Sequence, residues 1–130
     1  MKKARITIFT QLDKRINKFS YDGSVVEEAG LYAINYHDTS SNTATSILCT
    51  NGGVRVKRSG ELTSSLEYIE GMLTKADLQT PYGILNQSAH TKRIEKKVSE
   101  KRIVIVLDAK QYVDDQLVGE KMMISAEYSA

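Results

Sequence analysis

Apolar and polar residues alternate with period two along most of the chain, the mark of strands with one buried and one wet face. Ile6, Ile8, Thr10 and Leu12 share one side of the first run, opposite Arg5, Thr7, Phe9 and Gln11, which predicts a strand over about residues 4–13. A second run puts Phe19, Tyr21 and Val25 together. Gly23 interrupts that side, as a bend at a barrel corner or a bulge would. Glu27-Glu28-Ala29-Gly30 predicts a turn with glycine in a left-handed position. The strand that follows, Leu31 to Asp38, carries Tyr32, Ile34 and Tyr36 on one face.

Asp38-Thr39-Ser40-Ser41-Asn42 has loop chemistry, Thr45, Ile47 and Cys49 alternate again, and Asn51-Gly52-Gly53 is the strongest hairpin signal in the chain. In the returning strand Val54 and Val56 share a face that Arg58 continues, so the arginine is expected to point inward. Leu62, Leu66 and Tyr68 share the next face, a turn follows at Glu70-Gly71, and Met72, Thr74, Ala76 and Leu78 alternate up to Thr80-Pro81-Tyr82-Gly83. That corner holds the only proline. Its fixed φ and the freedom of Gly83 predict a chain reversal that closes the fold, with Tyr82 against the rim.

Between Ile84 and Ile94 neither parity is consistently apolar, which predicts an edge-like or strongly twisted strand, and Glu95 to Glu100 is expected to form a charged hairpin tip. Ile103 to Leu107 is apolar on both parities and reads as a strand covered on both sides. Asp114 to Gly119 forms the last connection. The final strand turns Met122, Ile124, Ala126 and Tyr128 to one face.

These segments amount to eight to ten hairpin-spaced strands with no helix. So many antiparallel strands in a short chain escape the problem of exposed edges most simply by closing, so the expected fold is all-β: one closed or nearly closed up-and-down antiparallel barrel over residues 1–130. A barrel of about eight strands can leave room for one small ligand. The 130 residues suffice for one domain with a real core. No apolar run approaches the roughly 20 residues that cross a bilayer. The lone Cys49 fits a reducing compartment and a small buried side chain, so a soluble, cytoplasmic protein is expected. Net charge is only +2, yet six of the 18 Lys and Arg residues fall between Lys92 and Arg102.

Phosphate loops, dinucleotide fingerprints, zinc spacings and nucleophile elbows are all missing, so no cofactor, metal or catalytic residue is assigned. His37 and Asp38 are neighbours, but adjacent strand residues point to opposite faces and cannot work as a base and its orienter. A catalytic Cys49 would need a His, Asp or Asn at a recognisable spacing, and none is there. The tyrosines are more informative. Tyr21, Tyr32, Tyr36, Tyr68 and Tyr128 all fall on inward faces, and Arg58 on the same surface could donate to their hydroxyls or to a ligand carboxylate. Core filling, with the arginine closing one end of the barrel, is the stronger explanation of these residues taken alone, and ligand contact is the other. The leading expectation is a non-enzymatic barrel holding a small apolar or amphipathic ligand against Tyr21, Tyr32, Tyr36, Arg58, Tyr68 and Tyr128. The alternative is a module that binds protein or RNA through its outer surface and the basic segment 90–102. Nucleic acid is the weaker partner because no aromatics interleave the basic residues. No membrane partner is expected, and oligomeric state is open.

Four stretches, taken together and in order, resemble a known family. They are Lys18-Phe19-Ser20-Tyr21-Asp22-Gly23, Asn35-Tyr36-His37-Asp38, Val54 to Gly60 read as Val-x-Val-x-Arg-Ser-Gly, and Thr80-Pro81-Tyr82-Gly83 followed by Thr91. They are similar to the YwiB-like proteins, functionally uncharacterised bacterial β-barrels of the calycin-like group, related in fold to lipocalins and fatty-acid-binding proteins. The resemblance implies a fold and carries no reaction or ligand. This chain departs from the pattern at His37-Asp38, where an acidic pair commonly follows the tyrosine, and in the charged stretch Lys92 to Arg102.

Overall fold

The computed structural model describes residues 1–129. They form an all-β structure of eleven strands: β1 (Lys2–Leu12), β2 (Arg15–Glu28), β3 (Leu31–Asp38), β4 (Thr43–Thr50), β5 (Gly53–Gly60), β6 (Ser64–Tyr68), β7 (Leu73–Thr80), β8 (Gly83–Val98), β9 (Arg102–Val113), β10 (Gln116–Gly119) and β11 (Lys121–Tyr128). Every pairing is antiparallel, in the order β6-β5-β4-β3-β2-β1-β11-β9-β8-β7, with the short β10 folded back onto β9. The expected up-and-down barrel is therefore present. The strand beyond the expected eight to ten is β10, cut from the last connection by a two-residue turn whose Asp114 and Asp115 both take positive φ.

One seam keeps the barrel from closing fully. Between β6 and β7 a single bridge, Thr63 with Gln79, supplies two backbone bonds of 3.0 and 2.8 Å, and the Thr74 hydroxyl donates to the Glu67 carbonyl. The cause is the length of β7. Its first residue, Leu73, pairs with His90, halfway along the sixteen-residue β8, so the second half of β8 has no β7 beside it.

The interior follows the alternation. Ile6, Ile34, Ile47, Leu66, Ile103, Ile105, Leu107 and Ile124 are each no more than 1% exposed and fill the middle of the barrel. Burial of this kind stabilises by roughly 1.5–3 kcal/mol per large apolar side chain. Gly23 causes neither a bulge nor a register shift, contrary to one expectation. It stays in register with Ala4 and Tyr36, and its missing side chain lets β3 cross close by, since a Cβ there would lie 2.1 Å from the Asn35 carbonyl oxygen. At the β2–β3 turn Ala29 and Gly30 take φ of 53° and 79°, the left-handed pair that a two-residue hairpin requires.

Three expectations change. Residues 84–98 lie in one continuous strand, paired with β9 from Gln87 to Val98, and the tip is confined to Ser99-Glu100-Lys101, so Lys92 to Lys97 lie along a strand. A register shift at Lys92 explains why the alternation was illegible: Leu85, Gln87, Ala89 and Thr91 share the inner parity before it, and Ile94, Lys96 and Val98 after it. Nothing among the described residues layers over the outer side of β9. Val104 and Val106 are half-buried only by neighbours in the sheet such as Met123. Thr80-Pro81-Tyr82-Gly83 is the tight turn of the β7–β8 hairpin, with the Thr80 hydroxyl donating to the Gly83 carbonyl at 2.8 Å. Tyr82, at 99% exposure, plugs no rim.

Candidate functional site at one mouth of the barrel

Four residues of extended strand span about 13 Å, so the inward tyrosines cannot all meet. Tyr36 pairs across β3 with Gly23 and Thr45, whereas Tyr32, four residues earlier, pairs with Glu27 and Cys49. Tyr32 and Tyr128 share the other end of the barrel. Burial raises the Tyr128 pKa, and the neighbouring Tyr32 and Glu27 add to the shift. Tyr68 lies between the two ends, fully buried, with its hydroxyl donating to Gln111 Oε1 at 3.0 Å. Of the six residues expected around one ligand, three come together: Tyr21, Tyr36 and Arg58.

They line a cavity of about 260 Å³ that opens at the mouth formed by the end of β3, the start of β4 and the end of β5. Tyr21 and Tyr36 stack with ring centroids 4.4 Å apart and planes 14° from parallel. That arrangement follows from register: Gly23, with no side chain, sits opposite Tyr36, so the Tyr21 ring two residues earlier can lie over it. Ile8, Phe19, Leu62 and Met122 supply apolar wall, and Phe19 is 48% exposed at the entrance. Larger hollows exist elsewhere, one of about 610 Å³ around Lys75, Asp77 and Asp115 and one of about 340 Å³ beside Glu70 and Lys96.

The charges at this mouth are unequal in their partners. Asp38 accepts from the Ser40 hydroxyl at 2.6 Å and the Ser40 N–H at 3.0 Å. Those bonds, outweighing partial burial, hold its carboxyl below the usual range. Arg58, half-buried on the face of Val54 and Val56, makes no ion pair or hydrogen bond among the described residues. Burial raises the Tyr36 hydroxyl pKa, and the Arg58 charge partly offsets it. Tyr21 is also raised, by burial first and then by the Asp38 carboxylate. Both phenols therefore stay protonated and able to donate.

Asp38, Thr43 and Thr45 also line the cavity, beyond the residues expected there. Parity could have found Asp38, which continues the face of Ile34 and Tyr36, and Thr45, which shares the face of Ile47. Thr43 takes its role from the fold: fully buried, it donates to the Ser41 carbonyl at 2.9 Å and accepts from the Leu62 N–H at 3.3 Å, tying two loops to the mouth. His37 is exposed on the opposite face from Asp38, and Cys49 is buried with its thiol pushed up to about 11 by desolvation, so neither joins the site.

Comparison with known proteins agrees with this architecture. The crystal structure of ywiB protein from Bacillus subtilis superposes with a TM-score of 0.82 over 98% of this chain and 91% of that one, at 19% identity, a likeness of fold. No curated protein matches the chain. The family described as Domain of unknown function (DUF1934) matches residues 4–124, nearly the whole barrel, and the chain belongs to that family, whose YwiB-like character its own residues had suggested.

Proposed function

We propose that the protein is a binding module whose barrel mouth holds one small amphipathic molecule, with a carboxylate or similar anionic group against Arg58 and a flat apolar body beside Tyr21, Tyr36, Ile8 and Leu62. The carrying observation is the half-buried Arg58 guanidinium, which has no partner among the described residues at the edge of a cavity walled by apolar side chains. A partly desolvated guanidinium without an anion is unfavourable, and its planar fork suits a carboxylate. Asp38 does not compete for that role, because Ser40 already supplies its donors. The cavity, at about 260 Å³, falls just below the roughly 300–1,000 Å³ of ordinary ligand sites, which limits the occupant to a small molecule.

Native mass spectrometry of freshly purified protein tests this reading. The expected result is a bound mass that survives gentle desalting and is absent from an Arg58→Met variant of unchanged melting temperature. A bare chain in both samples, with no uptake from a panel of small aromatic carboxylates, would remove the proposal.

A further inference from the structure

The second half of β8 has a free side. β9 pairs with it to Val98, but β7 has ended by His90, and after the contacts of Thr91 with Gly71 and Met72 no backbone hydrogen bond from the described residues reaches that side. The Ile94 N–H points away from β9 into this gap, where the Glu70 carboxylate accepts it at 2.6 Å. With strand period two, the backbone groups of Lys96 and Val98 point the same way. Across the gap Lys96 Nζ donates to the Thr50 carbonyl at 3.0 Å. A hollow of about 340 Å³ lies between, lined by Asn51, Gly52, Gly53, Ile69 and Glu70 on one side and Ile94 and Lys96 on the other. Glu70 thus occupies the place a neighbouring strand's carbonyl would take, on an edge that no strand among the described residues pairs.

The charge beside that edge is mainly positive, with Glu70 the one carboxylate among the residues lining the hollow. Arg93 is neutralised by Glu95 at 3.0 Å, but Lys92, Lys96 and Lys97 make no ion pair among the described residues. Ile94 is half-buried and Val98 is 51% exposed, so on the face they share with Lys96 these two side chains offer apolar contact to an added strand. We propose that this seam is a docking edge for an extended acidic segment of another protein, which adds a strand along Ile94–Val98 and displaces the Glu70 carboxylate from the Ile94 N–H. Main-chain bonds would supply affinity and the three lysines would select the charge. A second copy of this chain would bring the same lysines to the seam and be repelled. Single-stranded RNA would use the charge but not the main-chain edge, and no aromatics stand beside these lysines to stack its bases. This reading is independent of the ligand proposed at the opposite mouth.

The test is fluorescence anisotropy with the whole protein and a labelled acidic peptide about ten residues long, alternating Glu with Val and Thr. A matched peptide carries N-methyl groups at alternate positions, so that it keeps charge but cannot pair as a strand. The plain peptide is expected to bind at least about tenfold more tightly than the methylated one, and Glu70→Ala to tighten it by about fivefold, since the competing carboxylate is gone. Lys96→Glu with Lys97→Glu should abolish binding. Should that double variant fail to fold, the Glu70→Ala and N-methyl comparisons still decide. Equal binding of both peptides, no response to Glu70→Ala, preferential binding of a uridine oligonucleotide, or a dimer in sedimentation that buries the edge would each overturn the proposal.

Discussion

Replacing Gly23 by alanine attacks the geometry that places Tyr21 over Tyr36. The new Cβ would lie 2.1 Å from the Asn35 carbonyl oxygen and 3.0 Å from Ile6 Cγ1, and the first of these is backbone that cannot rotate aside. β2 and β3 must separate. Overpacking in a dense interior costs about 1–3 kcal/mol, and one or two weakened ladder bonds add about 1 kcal/mol each, so a loss of about 2–5 kcal/mol is expected. With an unfolding entropy near 2.1 cal/mol/K per residue, a chain of 130 residues has about 0.27 kcal/mol/K, and the melting temperature should fall by about 7–18 °C. Thermal unfolding followed by far-ultraviolet circular dichroism measures this. Gly52→Ala is the control, since its Cβ would meet nothing within 4 Å, and it should stay within about 1 kcal/mol of the parent. A Gly23→Ala protein melting within about 3 °C of the parent would refute the close crossing of β2 and β3.

Stability should also decline in alkali. Burial lifts the Cys49 thiol to about 11 and the Tyr68 phenol to about 12, so the folded state keeps protons that the unfolded chain releases sooner. Unfolding then gains ground as pH rises, with full stability below about pH 9 and a progressive loss from there toward about pH 12. Urea midpoints that stay constant through this window would contradict the buried placement of both groups. Tyr68→Phe removes the 3.0 Å bond to Gln111 and should cost about 1–2 kcal/mol in urea unfolding; no loss would mean that the bond contributes nothing. Tyr82→Ser, at the exposed hairpin tip, should change stability by less than about 0.5 kcal/mol, and a larger loss would show that the tip packs against the barrel.

Where the alternation is regular, the sequence is read correctly. Ile6 and Ile8, Tyr32 to Tyr36, Val54 and Val56, and Met122 to Tyr128 all lie on the faces that period two predicts. Asn51-Gly52 forms the expected turn between β4 and β5, although neither residue takes the positive φ for which an Asn-Gly pair is favoured. The failures have particular causes. One extra residue at Lys92 reverses the parity of β8, so a continuous strand looks like an irregular one followed by a charged tip. Val104 and Val106 are apolar on a face with no covering layer, because half-burial among sheet neighbours is enough for β-branched side chains. Period two also says which face a residue takes without saying how far along the barrel it sits. Five inward tyrosines therefore suggest one site until register separates Tyr21 and Tyr36 from Tyr32 and Tyr128. The open seam was not legible, since it depends on β7 being half as long as β8.

The most direct test of a ligand-binding mouth is a map of amide chemical shifts by nuclear magnetic resonance as a small aromatic carboxylate is titrated into the protein. Saturable shifts are expected, concentrated at Tyr21, Tyr36, Arg58 and Leu62, lost in Arg58→Met and not produced by the matching neutral amide. Shifts absent from that mouth, or equal for carboxylate and amide, would contradict a ligand-binding mouth.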